Sequence, residues 1–235
     1  MMEVSVITTL FNYKKYIGEA IISFLGQNFL DSEMIIVDDG SRDNPYSVIK
    51  KFDNKRIKYI RLKKNRGYSH AKNVGIMSAK SEILVMLDAD DMLTTNSISC
   101  RYNKIQKGYD FVHGPAIDLI DGKTSKSRLW EKWLKKPTYK HVHAQGVMLR
   151  KDIHRKIGLY DEKLRCKSDR EMWARIFNYG FNIGTVSEFV SYYRIHKNQM
   201  SRSSQKLSEN KKLQKTVLSL IEKRKTDLSG VRMLD

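Results

Sequence analysis

The sequence lacks any long hydrophobic run. The stretch Ile83 to Leu87 is among its longest, against the roughly 18 to 20 residues that a membrane-crossing helix needs. The opening Met-Met-Glu-Val-Ser-Val-Ile has neither the basic start nor the apolar centre of a signal peptide, and reads as a first strand. Cysteine is scarce. Cys100 and Cys166 are the only two, far apart and without a CxxC spacing, which argues against a zinc site or a disulfide scaffold and fits a reducing cytosol. Acidic residues are few beside basic ones: 26 Asp and Glu against 44 Lys and Arg, a net charge of +18. Such a surplus suits polyanions: nucleic acid, an anionic membrane face or a phosphate-rich substrate. The lysines are scattered along the whole chain, so solvated faces account for the charge equally well. There is no internal repeat, low-complexity tract, zinc finger or RNA-binding signature, and no nucleic-acid partner is expected.

What is present is a rhythm. At 235 residues the chain suits one α/β domain with an appendage. Val4 to Thr9, Glu33 to Val37, Ile57 to Leu62 and Glu82 to Leu87 read as strands. Lys14 to Gly26, Pro45 to Phe52 and Ser69 to Ala79 read as helices between them, with Asn44 as an N-cap and Pro45 at the first helical position. This alternation predicts a parallel sheet with right-handed crossovers. Further on, helices are expected over Thr95 to Ile105 and Ser168 to Tyr179, and strands over Tyr109 to Gly114, Gln145 to Arg150 and Phe189 to Tyr193. From Ser201 the chain is polar and basic, with Leu213, Val217, Leu220 and Ile221 as a modest helical stripe.

Ligands of parallel sheets bind beyond the carboxyl ends of the strands. Three polar clusters fall there: Thr8 to Asn12, Asp38 to Ser41, and Asp88 to Asp91. In Asp88-Ala-Asp90-Asp91 three carboxylates crowd into four positions. Like charges so close repel unless a cation sits among them, and carboxylate oxygens are what Mg²⁺ or Mn²⁺ prefers, with substrate phosphates completing the shell. An acidic turn capping the next helix is the plainer alternative. In Asp38-Asp39-Gly-Ser a carboxylate could accept hydrogen bonds from a base or ribose, or the stretch is an ordinary Asp-Gly turn. Phe11 offers an aromatic face for a base, or belongs to the core.

Four segments together resemble the family 2 glycosyltransferases of the GT-A fold: VSVITTLFN (4–12), IIVDDGSRD (35–43), NRGYSHAKNVGIMSAKSEILVMLDADD (65–91), and the pair LYDEKLRCKSDREMWARI (159–176) and YYRIHKNQMS (192–201). The resemblance implies a mostly parallel central sheet flanked by helices. It implies a GT-A domain over 1–200, with a Rossmann-like nucleotide-sugar half at 1–92 and an acceptor half at 93–200. Residues 201–235 would form a basic helical tail. It places Thr9 and Phe11 at the base, with Phe11 in place of the more usual Tyr, and Asp39 at the base N–H. Lys72 falls where an Arg commonly helps bind the nucleotide, keeping the charge but not the planar fork. Asp88 and Asp90 match the DxD, the first facing the ribose or a metal-bound water and the second binding the metal. Asp91 would lie behind them. Asp169 matches the catalytic base, although Ser168-Asp169 stands where Glu-Asp is common. Trp173, one helical turn on, would line the acceptor pocket or be a buried aromatic. His196 would add a metal or phosphate contact.

The implied reaction is inverting transfer of a hexosyl or N-acetylhexosaminyl group from a nucleotide-diphosphate sugar, UDP-linked, to a saccharide or lipid-linked acceptor, with Mn²⁺ or Mg²⁺ as cofactor. A sugar-phosphate nucleotidyltransferase shares the sheet and substrates, but opens on a glycine-rich phosphate loop. Here Leu10-Phe-Asn-Tyr-Lys-Lys15 fills that place, and no glycine comes before Gly18. A degenerate transferase that only binds is at odds with the full carboxylate set. The protein is expected to be cytoplasmic. The basic tail offers either an anchor on an anionic membrane face or a surface that packs on the catalytic domain or a second subunit.

Overall fold

The computed structural model describes residues 2–126, 132, 138–164, 167–197, 199, 218–224, 227–228 and 231–234. In its first half, β1 (Val4–Leu10), α1 (Lys14–Leu25), β2 (Ser32–Asp38), α2 (Tyr46–Ile49), β3 (Ile57–Arg61), α3 (Tyr68–Ser78) and β4 (Ile83–Asp88) alternate as the sequence predicts. Then come β5 (Met92–Leu93), α4 (Ser97–Gln106), β6 (Phe111–His113), β7 (Ala116–Ile120) and β8 (Lys123–Lys126). After them follow β9 (Val147–Arg150), α5 (Asp152–Ile157), α6 (Ser168–Tyr179), β10 (Ile183–Thr185) and β11 (Ser191–Ile195).

The central sheet has seven strands in the order β10-β6-β9-β4-β1-β2-β3. All run parallel except β9, which is antiparallel to both its neighbours. Every residue of β1 and β2 is buried, as a sheet covered on both faces requires. Alternate side chains feed two cores. Val4, Val6, Met34 and Ile36 pack with Ile17, Ile21 and Phe24 of α1 and Ile98 of α4. Ile7, Ile35, Val37, Leu84 and Met86 face Ala71 and Ile76 of α3 and Trp173 and Ile176 of α6. Helix α3 lies so close to β1 that a Cβ at Gly75 would collide with Ile7 Cγ2.

A smaller sheet, β5-β11-β7-β8, stands beside the first. Its β7–β8 hairpin was not expected. All four residues of β8, Lys-Thr-Ser-Lys, are exposed, so no apolar alternation marks the strand. The late strand expected at Phe189 to Tyr193 sits at Ser191–Ile195, and Gln145 and Gly146 belong to a 3₁₀ turn before β9 rather than to the strand. The helix expected over Pro45 to Phe52 splits into α2 and a 3₁₀ turn, Lys50–Phe52. Asn44 does not cap it with its side chain. Its backbone is at φ +51° and its carbonyl accepts the Ser47 hydroxyl at 2.8 Å.

Of the C-terminal stripe, Leu213 and Val217 lie outside the described residues. Residues 218–223 are helical. Ile221 is buried against Leu164 and Ala174, with Leu220 alongside. Within this segment Leu218 is 44% exposed. Among the described residues no helix is long and apolar enough to cross a membrane.

Candidate active site

The carboxyl ends of β1, β2 and β4 lie side by side, because Thr9 pairs in register with Val37 on one flank and Asp88 on the other. Phe11, just past β1, is 40% exposed, an aromatic face left open at this edge. Asn12, at φ +57°, ties the first two strand ends together: its N–H donates to Ser41 Oγ at 2.9 Å and its Oδ1 accepts the Arg42 N–H at 2.8 Å.

The paired aspartates after β2 have separate tasks. Asp38 is fully buried and accepts the Ser41 N–H at 2.8 Å and the Tyr59 hydroxyl at 2.6 Å, so it shapes the turn. Asp39 accepts the backbone N–H groups of Arg66 and Gly67 at 2.7 and 2.8 Å, one on each oxygen. It thereby draws the loop before α3 up to the edge. Each oxygen keeps a second lone pair for a ligand N–H. Gly40, at φ +72°, lets the turn pass within contact of that loop: a Cβ there would lie 2.8 Å from the Lys64 carbonyl carbon.

After β4 the three carboxylates diverge. Asp88 accepts the Gln145 amide at 2.9 Å and the Tyr68 hydroxyl at 3.0 Å. Burial pushes its pKa up to about 6 against the pull of Lys72, with Asp169 and Asp90 adding to the rise. Asp90 Oδ2 lies 3.0 Å from His196 Nε2. Asp91 is nearly fully buried; one oxygen accepts the Arg194 N–H at 2.7 Å and the other has no partner. Burial and its two acidic neighbours hold the Asp91 carboxyl well above its ordinary range. Arg194 also donates from Nε to the Asp90 carbonyl at 2.9 Å and from Nη2 to Glu19 at 2.6 Å. It staples the acidic turn to β11 and α1.

Asp169 enters the same edge from the first turn of α6. Its Oδ1 accepts Lys72 Nζ at 2.7 Å and its Oδ2 the Tyr68 hydroxyl at 3.1 Å. The Tyr68 hydroxyl thus touches both Asp88 and Asp169. Burial, with those two carboxylates alongside, pushes it well above its ordinary pKa, so it remains a donor. Lys72 is 1% exposed, with its ammonium 4.3 Å from the Tyr68 ring centroid. The ammonium sits on Asp169, between the Tyr68 and Tyr160 rings.

Of the two readings of Trp173, the buried aromatic holds. Trp173 does not line an open pocket: at 1% exposure it packs edge-on against Phe111 and near Tyr160, because its side of α6 faces the sheet. Glu171 and Asp161, on either side of Asp169 in the sequence, are both held by arginines. Glu171 is fully buried on Arg175, and both reach Arg224 at 2.7 Å. Sequence reasoning missed Tyr68, Gln145 and Arg194. Tyr68 and Arg194 lie inside the quoted motif segments, yet no periodicity or spacing singles them out.

A divalent cation fits the donors present. Asp90 Oδ2 and His196 Nε2 stand 3.0 Å apart, about the edge of an octahedron with ligands at roughly 2.1 Å. His196 Nδ1 is buried without a partner, and the ring rests on Tyr13 and Tyr16. Among the described residues no group of three or more His, Cys, Asp or Glu could hold a metal unaided. The protein thus offers a partial shell of the kind that substrate phosphates and water complete.

The site is thus an acidic turn at the carboxyl end of the central strand of a seven-stranded, mostly parallel sheet. The glycosyl transferase family 2 model matches residues 5–160, and the chain belongs to that family. It is 28% identical over 215 residues to an uncharacterised glycosyltransferase of Rickettsia prowazekii, covering 86% of this chain and 66% of that one. It is 36% identical over 130 residues to the GalNAc(5)-diNAcBac-PP-undecaprenol beta-1,3-glucosyltransferase of Campylobacter jejuni, covering 54% and 42%. The chain thus spans about two thirds of the first relative and less than half of the second. Its fold is that of TarS from S. aureus in complex with UDP-GlcNAc, with a TM-score of 0.79 at 20% identity over 95% of this chain and 66% of that one. The mannosyltransferase PcManGT from Pyrobaculum calidifontis, in complex with GDP-Man and Mn²⁺, gives 0.70 at 18% identity, covering 83% and 58%.

Proposed function

We propose that this chain transfers a sugar, with inversion, from a UDP-sugar to an acceptor hydroxyl, with metal assistance. The observation that carries the reading is the convergence of Asp39, Asp88, Asp90 and Asp169 on one sheet edge, with the Tyr68 hydroxyl linking Asp88 to Asp169.

In this reading Phe11 stacks on the uracil, and Thr9 and Asp39 meet its polar edge. Asp88 faces the ribose. Asp90 and His196 would hold Mn²⁺ or Mg²⁺, which would supply Lewis-acid neutralisation of the leaving diphosphate's charge. Asp169 takes the proton of the attacking hydroxyl as general base. Lys72 pairs with Asp169, and the Tyr68 hydroxyl, shared with Asp88, fixes its orientation. The named activities of relatives support a saccharide or lipid-linked acceptor: the Campylobacter jejuni relative is named for an undecaprenol-linked one.

The test is a screen of nucleotide sugars for thermal stabilisation and slow hydrolysis, with and without Mn²⁺. UDP-sugars should stabilise the protein more than GDP- or CMP-sugars, and only with the metal. Equal response to all nucleotides, or none, contradicts the reading.

A further inference from the structure

The C-terminal segment enters the catalytic half through one side chain. Arg224 is 7% exposed. Its Nη2 donates to Asp161 Oδ2 at 2.7 Å, and its Nη1 lies 2.7 Å from Glu171 Oε1. The second contact is an ion pair off the angle of a hydrogen bond, since neither atom has a well-directed partner. Glu171 is held from its other side by Arg175, whose Nη2 donates to Oε2 at 2.9 Å. Arg175 in turn donates to the carbonyls of Ile157, Gly158 and Leu159. The result is a buried cluster of two guanidinium groups and two carboxylates.

Asp161 and Glu171 lie on either side of Asp169 in the sequence. Asp161 begins the turn that leads toward α6, and also accepts the Lys163 N–H at 2.9 Å. Within that turn, Glu162 meets His70 and Asn73 of α3, and the Leu164 carbonyl accepts the Ser69 hydroxyl at 2.7 Å. Glu171 lies in the first turn of α6, as does Asp169. Around the same stretch, the Leu159 N–H donates to the Arg232 carbonyl at 2.7 Å, and Ile221 packs on Leu164 and Ala174. A single planar guanidinium therefore ties the start of the turn to the start of the helix, and Asp169 sits between the two tied points.

We propose that Arg224 is a positioning residue for transfer: by bridging Asp161 and Glu171 it sets the placement of Asp169 against Lys72 and Tyr68. This rests on the reading of Asp169 as the base. The planar fork is what the bridge needs. One nitrogen serves each carboxylate, an arrangement that the single ammonium of lysine does not reproduce.

The experiment uses the full chain. UDP binding with Mn²⁺ is measured by calorimetry, and UDP release from UDP-glucose and UDP-GlcNAc is measured per UDP-binding site. Arg224→Met and Arg224→Lys are compared with wild type. Both should bind UDP within about threefold of wild type, because the nucleotide edge at Phe11 and Asp39 is untouched. Their kcat per binding site should fall about tenfold or more, with donor KM little changed. The double variant Arg224→Met/Asp169→Asn should be no slower than Asp169→Asn alone. If Arg224→Met does not fold, Arg224→Lys, which keeps the buried charge, carries the test. A purely structural role would lower the number of binding sites and leave kcat per site unchanged; that result overturns the proposal. So does an additive loss in the double variant. Asp169→Asn is also the control for the underlying reading: if it alone keeps full turnover, the base assignment fails, whatever Arg224 does.

Discussion

Replacing Asp169 by Asn changes two quantities that the structure allows to be separated. The carboxylate accepts Lys72 Nζ at 2.7 Å and the Tyr68 hydroxyl at 3.1 Å. Asparagine keeps one acceptor oxygen, loses the charge and cannot take a proton. Removing one partner of a buried ion pair costs about 3 to 5 kcal/mol. The Lys72 side chain is 1% exposed but that of Asp169 is 22% exposed, and Asp88 stays close enough to act on Lys72. The low end, about 3 kcal/mol, is therefore expected. For a chain of this length that lowers Tm by about 6 to 12 °C. Turnover should fall by about 10² or more, equivalent to about 2.7 kcal/mol of barrier, while UDP affinity holds. The double variant Lys72→Met/Asp169→Asn removes the stranded cation, so it should recover much of the Tm and none of the turnover. Differential scanning calorimetry and UDP-release assays read the two effects. Turnover within threefold of wild type refutes Asp169 as base. An unchanged Tm refutes its pairing with Lys72.

Two further perturbations follow from packing and burial. Gly75→Ala should destabilise, because overpacking against Ile7 costs about 1 to 3 kcal/mol and outweighs a helix-propensity gain of about 1 kcal/mol; a raised Tm contradicts the close approach of α3 to β1. Burial lowers His154 and His143 to about 4 and His113 to about 3, the last with help from His143. The unfolded chain protonates these rings below about pH 6.5 and the folded chain does not, so their contribution to stability is complete above that pH and is lost as pH falls toward 4. Asp88 and Asp91, whose pKa values are raised, act the opposite way, favouring the folded state on acidification. Three rings against two carboxylates leave about one net proton, or about 1.4 kcal/mol per pH unit. Urea midpoints should fall between about pH 6.5 and pH 5, and a flat or rising profile contradicts the burial of the three histidines.

The sheet and the three strand-end clusters were legible because their signals are local. Val4 to Leu10 is apolar enough to be a buried strand, and Asp88 to Asp91 breaks off such a strand abruptly. The β7–β8 hairpin was not legible, since Lys123 to Lys126 stands wholly in solvent and carries no pattern. The directions of long side chains were equally hidden. Lys72 could be placed on α3 from spacing, but its turn toward Asp169 depends on rings from Tyr68 and Tyr160, far apart in the sequence. Trp173 shares the helix of Asp169, yet its ring packs in the core against Phe111 and Tyr160, partners that are distant in sequence. Arg224 carries no local signal at all. Its partners are 63 and 53 positions away, and only the packed tail brings them together.

The central claim, that the acidic turn after β4 holds a cation which in turn holds a nucleotide diphosphate, is tested most directly by calorimetry of UDP with wild type and Asp90→Ala, each with and without Mn²⁺. The account predicts that Mn²⁺ tightens UDP binding to wild type by tenfold or more and leaves Asp90→Ala unchanged. Equal affinity of wild type for UDP with and without the metal would contradict it.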